Sequence, residues 1–333
     1  VAGNNEQKLS GKLAQQYCRE YPSVPNLTLA RMLYRDNPKV YSHVEHARTL
    51  IRGYRGANGE TARNYKTKAG SLVERLEIPR ADPPAWEPYT LPDGIKRWLI
   101  LADTHIPYHD EQALAVALEF GIKAKCDGVI LLGDVIDCGA YHISDFNKDP
   151  RTRDMAGEVE ATGRFLDSLA KHLKPKRIVW KCGNHEFRLE RYLMVKAPEL
   201  FVGFADLFTF ARFLEFERRG ITWVNAQSPI RQGWLTLLHG HEWQGGTQSP
   251  VNPARGAFLK ALECTMTGHQ HRSSEHTERT LSGVTITNWS AGCLCDLHPD
   301  YRPLNRWNHG FAVLHAGNNW TLENHRIVNG AVV

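Results

Sequence analysis

Five short polar clusters in this 333-residue chain each close an apolar run. They are Asp103-Thr104-His105, Gly133-Asp134 with Asp137, Gly183-Asn184-His185-Glu186, His239 with His241, and Gly268-His269 with His271. Carboxylate, imidazole and carboxamide offer oxygen and nitrogen but no sulfur, a donor set that suits Mn²⁺, Zn²⁺ or Fe rather than a thiolate site. A single Asp-x-His is frequent by chance, and one histidine at a strand end is usually an ordinary polar residue. Five such clusters in order are different, because carboxylates and imidazoles converging on one face are costly to bury without a cation. Glycines beside four of them let the backbone turn tightly and approach an ion. The donors are too many for one tetrahedral ion. Two ions about 3.5–4 Å apart, sharing one carboxylate, fit better, and that geometry clamps the attacking and leaving oxygens of a phosphoryl transfer.

The elements that must position these residues are legible around them. The runs 97–103, 128–134 and 177–184 read as buried strands, with helical stretches at 110–125 and about 153–173 between them. Strand and helix alternating at this spacing predict an α/β sheet with its chemistry at the carboxyl ends of the strands. From about Gly220 the runs shorten into hairpins, with Gly233 at a turn and a helix at NPARGAFLKALE. A parallel-type half followed by a hairpin-rich half predicts two sheets face to face, with helices outside.

Ahead of this region the texture is different. Residues 8–54 read as three helices, the third starting at Ser42 as N-cap with Glu45 three residues on, a capping-box pattern. Three short helices with an arginine-bearing third resemble a helix-turn-helix module; a small helical bundle is the plainer alternative. Pro79, Pro83, Pro84, Pro88 and Pro92 mark an extended linker over 56–95. The expected organisation is thus a helical module (1–55), a linker (56–95) and a main domain (96–333). Residues 1–75 hold 13 Lys/Arg against 6 Asp/Glu, a balance of +7 in a chain whose net charge is +5. That asymmetry points to a polyanionic partner, nucleic acid first.

The composition, 42% hydrophobic and 23% charged, is that of an ordinary globular protein. No apolar run approaches the roughly 20 residues that span a bilayer, and the N-terminal VAGNNEQKLSGK lacks a signal-type apolar core, so a cytoplasmic protein without a membrane partner is expected. The seven cysteines form no CxxC and read as free thiols.

The order DxH, GDxxD, GNHE, HGH, GHxH resembles the calcineurin-like metallophosphoesterase superfamily over roughly residues 97–330. GDVIDCGAYHISDFNKDP, GNHEFRLERYL and CLCDLHPDYRPLNRWNHGF are further similar to phage and prophage metallophosphoesterases. The resemblance implies a four-layer α-β-β-α sandwich and two divalent ions, Mn²⁺ first, with Zn²⁺, Fe or Ni²⁺ as other candidates. It implies Asp103, His105 and His271 on one ion, Asn184, His239 and His269 on the other, and Asp134 bridging them. His185 would be the general acid and Asp137 its orienting partner. The family pattern favours His239 over His241 as ligand, leaving His241 facing substrate or a ligand.

Arg188 could bind phosphate bidentately, and Tyr141 and His142 could line the site. Trp243 and Trp307 are expected in core packing. The function implied is a phosphodiesterase acting on nucleic acid or nucleotides, in a host cytoplasm if phage-encoded. A phosphomonoesterase, or a DNA-binding or virion-associated protein with secondary phosphoesterase activity, are the alternatives. The oligomeric state has no signature in the sequence.

Overall fold

The computed structural model describes residues 3–55, 76–81, 86–139, 143, 155–243, 251–317 and 319–333. The chain divides into two units, Val1–Pro84 and Ala85–Val333. In the first, α1 (Gly3–Glu20), α2 (Asn26–Asp36) and α3 (Val44–Tyr54) enclose a small core. Leu29 and Leu33, like Ala47 and Ile51, lie four residues apart on one helix face, and pack with Ala14, Cys18 and Tyr41. The Tyr41 hydroxyl donates to the Ser10 carbonyl at 2.6 Å, and the Arg55 guanidinium donates to the Tyr21 and Val24 carbonyls and to Asn26 Oδ1. The cap of α3 is His43 rather than the expected Ser42: its Nδ1 accepts the His46 N–H at 3.0 Å. The connection from α2 to α3 spans residues 37–43, longer than the three- or four-residue turn of a helix-turn-helix.

The second unit begins before residue 96. Strand β1 (Tyr89–Thr90) pairs in parallel with β6 (Ile230–Gln232), and Leu91 and Ile95 are buried between the sheets. This part of the expected linker therefore belongs to the domain, and proline-rich sequence proved compatible with an edge strand. Residues 56–75 and 82–85 lie outside the described residues.

Two sheets follow. β2 (Arg97–Leu101), β3 (Gly128–Leu131), β4 (Arg177–Lys181) and β5 (Ile221–Val224) are parallel neighbours. β11 (His309–His315), β12 (Thr321–Val328) and β13 (Ala331–Val332) extend this sheet antiparallel on the β2 side. The other sheet runs β1-β6-β7-β8-β10-β9, with β7 (Leu235–Leu238), β8 (Cys264–Thr267), β9 (Ser274–Arg279) and β10 (Thr285–Ser290).

Strand alternation assigns the layers. Leu99, Leu101, Val129 and Leu131 face α4 (Glu111–Lys123) and α5 (Met155–Leu173), whereas Trp98, Ile100 and Ile130 face Leu235, Leu237 and Met266 of the second sheet. On that sheet's side, Ala254 and Ala257 of a later helix, Pro253–Ala261, are buried against β8, β9 and β10. The architecture is α/β, two sheets face to face with helices outside. β4 leads into a run of helices, α6 (Glu186–Lys196), α7 (Pro198–Phe204), α8 (Phe210–Phe213) and α9 (Phe216–Arg219), before β5; Pro253–Ala261 is α10.

Candidate metal centre

Each of the five clusters leaves the carboxyl end of a strand. β2, β3 and β4 are parallel and in register, as are β7 and β8, so their ends open on one edge of the two-sheet sandwich. At that edge Asp103, His105, Asp134, His185, His239 and His271 are all buried. The backbone there is strained. Asp103 (φ 54°), His105 (φ 47°), Asp134 (φ 50°), His269 (φ 66°) and His271 (φ 55°) all sit in the left-handed region, which costs about 1–3 kcal/mol for each non-glycine residue. Of the twelve non-glycine residues with positive φ among the described residues, these five are all donors at one edge, which is the pattern of a built site.

The side-chain atoms converge. Asp103 Oδ1 lies 3.2 Å from His271 Nε2, 3.9 Å from His239 Nε2 and 4.0 Å from His105 Nε2. Asp134 Oδ2 lies 3.1 Å from His239 Nε2, 3.8 Å from His185 Nε2 and 3.9 Å from His105 Nε2. Two sets of donors that could hold an ion, Asp103/His105/Asp134 and Asp134/His239/His269, share Asp134. His239 donates from Nδ1 to the Leu132 carbonyl at 2.8 Å, which fixes its tautomer and turns a lone pair on Nε2 into the site. That Nε2 and Asn184 Oδ1 are both buried without a hydrogen-bond partner. Both lie beside the donor sets that share Asp134, and a cation is what such acceptors fit.

The local field agrees. Burial disfavours protonated imidazole, yet Asp134 and Asp103 push His239 up to about 10, and Asp103 pushes His271 up to about 10. Asp134, despite burial, is held well below the usual carboxylate range by His185 and His239. The pocket favours positive charge, which a divalent ion would supply. His269 goes the other way: burial first, then His239, press it down to about 4, so its nitrogen is available as a donor.

Asp137 lies beside this set. Its Oδ1 is 2.9 Å from His105 Nδ1 and 3.2 Å from His185 Nδ1, and its carbonyl accepts the His185 Nδ1 proton at 2.7 Å. Arg188 donates to the same carbonyl at 2.9 Å, and places Nη2 2.8 Å from His185 Nε2. The His241 ring lies 5.3 Å from that of His239, half-buried. Tyr141 and His142 fall outside the described residues.

Two glycines are demanded by the close approach of these loops. A Cβ at Gly183 would stand 2.2 Å from Asp134 Oδ1, and one at Gly133 (φ 91°) 2.4 Å from His239 Nδ1. Any side chain at either position would displace a donor.

The family model for calcineurin-like phosphoesterases matches residues 96–273, which contain all five clusters. The chain belongs to this family. It is a phosphoester hydrolase by that membership, and its site carries the donors of a divalent-metal centre. Gene 54 protein of Mycobacterium phage D29 is 30% identical to this phosphoesterase over 182 residues, 53% of this chain and 69% of that protein. Gene 54 protein of Mycobacterium phage L5 is 28% identical over the same shares. Among solved structures, wild-type Vps29 from Entamoeba histolytica complexed with Zn²⁺ shares 13% identity, covering 71% of this chain and 96% of that one, with a TM-score of 0.37. A dimetal phosphatase from Danio rerio shares 14%, covering 70% and 96%, with a TM-score of 0.36. At these scores neither carries weight for the chemistry.

Several residues of this phosphoesterase site have no individual signal in the sequence. Glu186, the last residue of GNHE, accepts the backbone N–H groups of Asp134 (3.0 Å), Val135 (2.7 Å) and Gly183 (2.8 Å), tying the β3 and β4 loops together. Lys181, wholly buried, pairs with Glu242 at 2.9 Å, and Glu242 accepts the N–H groups of His239 and Gly240. All seven cysteines are free, and Cys295 Sγ stands 3.7 Å from His271 Nδ1, so sulfur does reach the site's edge. Trp307 is half-buried with its ring centroid 4.1 Å from that of His271, at the site rather than in core packing; Trp243 is half-buried.

Proposed function

We propose that this phosphoesterase is a dinuclear metal-dependent phosphodiesterase acting on nucleic-acid or nucleotide-type diesters. The observation that carries the reading is the shared carboxylate Asp134 between two donor sets, with Asn184 Oδ1 and His239 Nε2 left as buried orphans beside it. Asp103, His105 and His271 would hold one ion and Asn184, His239 and His269 the other, Mn²⁺ being the first candidate among Mn²⁺, Zn²⁺, Fe and Ni²⁺. Two such ions, when bound, supply Lewis-acid neutralisation of the phosphoryl oxygens and activate water for attack.

The chain's own residues do the rest. His185 delivers a proton to the leaving oxygen from Nε2, while Asp137 holds Nδ1 and so the ring's orientation. Burial lowers His185, but Asp134 and Asp137 outweigh it and raise the imidazole, which favours the protonated form an acid needs. Arg188 faces that same Nε2. A phosphate oxygen entering here would draw the guanidinium off the imidazole, freeing Nε2 for its proton and binding the substrate bidentately.

The diester preference is supported by the +7 balance of residues 1–75, since phosphate neutralisation drives sequence-independent nucleic-acid binding. No helix among the described residues is long and apolar enough to cross a membrane, and with phage relatives this suits work in a host cytoplasm. The test is a paired rate assay after chelator stripping and Mn²⁺ addition, comparing bis-p-nitrophenyl phosphate with p-nitrophenyl phosphate at equal concentration. Faster diester turnover is expected. Faster monoester turnover moves the protein to the phosphatases and removes the reading.

A further inference from the structure

Beside the metal centre, the segment from Asp296 to Asn308 folds into a pinned loop with no part in the chemistry above. Asn305 Nδ2 donates to the Leu297 and Arg302 carbonyls at 2.6 and 2.9 Å, and Asn305 Oδ1 accepts the Trp307 N–H at 2.8 Å. The Asn308 N–H donates to the His271 carbonyl at 3.0 Å, and Asn308 Oδ1 accepts the Ser273 N–H at 2.9 Å. These bonds fix Trp307 against His271, and Arg302 lies over the Trp307 ring with its guanidinium carbon 6.0 Å from the centroid. The Tyr301 ring follows at 6.3 Å and is 62% exposed.

Three arginines belong to this neighbourhood: Arg302 over the Trp307 ring, Arg306 next to Trp307 in the chain, and Arg272 directly after His271. Among the described residues none of the three has a carboxylate within ion-pairing distance, although Asp296 and Asp300 are in the same loop. Guanidinium groups without a carboxylate partner are suited to an anion from outside. An exposed aromatic ring among them adds a face for an unpaired base.

We propose that Arg272, Arg302 and Arg306, with Tyr301 and Trp307, form a strip that holds the phosphates of a single-stranded nucleic acid adjoining the scissile diester. The strip rests on the phosphodiesterase reading and narrows its substrate class. Guanidinium groups take the phosphates flanking the one at the metals, and Tyr301 stacks a base between them. A longer strand engages more of the strip than a mononucleotide does, so affinity rises with strand length.

The test is binding of a fluorescein-labelled single-stranded oligothymidylate to the Mn²⁺-loaded full chain, in a His185→Ala background that slows consumption of the probe. R302Q/R306Q is expected to weaken binding about tenfold and to reduce the slope of log affinity against log salt by about 0.7 for each phosphate no longer neutralised. R302K/R306K keeps the charge and recovers most of the slope. K123Q/K125Q, which removes the same charge at the other end of the sheet, leaves binding as it was. Equal affinity of R302Q/R306Q and its parent, with wild-type turnover of the aryl diester intact, overturns the strip and leaves the phosphodiesterase reading standing. Wild-type turnover of monoesters alone would remove both.

Discussion

At His185 one proton is already committed: Nδ1 donates to the Asp137 carbonyl, so only Nε2 can deal with a substrate. A general acid in this position typically contributes about 10²–10⁴ in rate, and only where the leaving oxygen is basic. His185→Ala is therefore expected to lose roughly that factor on alkyl diesters and far less on p-nitrophenyl esters, while metal content measured by elemental analysis stays at the wild-type ratio. Equal turnover of alkyl diesters by the variant removes the role. At this scale the sequence was informative where a motif named the atom type, as with Asn184 and His239. It was silent on Tyr301 and Cys295, whose places are set by chain folding back from far along the sequence.

The elements explain why buried donors stay in place. Lys181 ends β4 with its ammonium fully buried, donating to the Asn225 and Ala226 carbonyls and pairing with Glu242 behind the His239 loop. Burial alone would push Glu242 up, but the Lys181 charge outweighs it and holds the carboxyl down at about 2. A depressed folded pKa gives stability that is present above the unfolded carboxylate value and lost as pH falls from about 4.5 towards 2. Glu242→Gln should flatten acid unfolding in that window, seen as a shallower loss of Tm with falling pH. Lys181→Met leaves the carboxylate without its partner and is expected to cost roughly 3–5 kcal/mol at pH 7 by denaturant unfolding. A loss below about 1 kcal/mol would mean the pair is not holding the loop. Nothing in WKCGNHE announces such a pair, because a lysine after three apolar residues reads as a strand terminus.

Across the whole molecule, charge separates by unit. The basic excess lies in the N-terminal quarter, where Arg31 and Arg52 are exposed on α2 and α3. Arg31→Gln with Arg52→Gln in the full chain is expected to weaken binding to duplex DNA at low salt and lower the salt slope by about 0.9 for each phosphate left without its arginine. An unchanged gel-shift profile would leave this unit without a nucleic-acid role. What the sequence determined by itself was local: the strand periodicities, the strand-end clusters and their order, and the glycines that let those clusters turn. Those features depend on neighbours a few residues apart, so a linear reading recovers them. Tertiary structure alone decided that Glu186 accepts the Asp134 and Val135 amides of another loop, that Trp307 packs against His271, and that the His269 N–H reaches Asp103. Such pairings join residues tens to hundreds of positions apart. They exist only once two sheets have packed and brought their strand ends to a common edge.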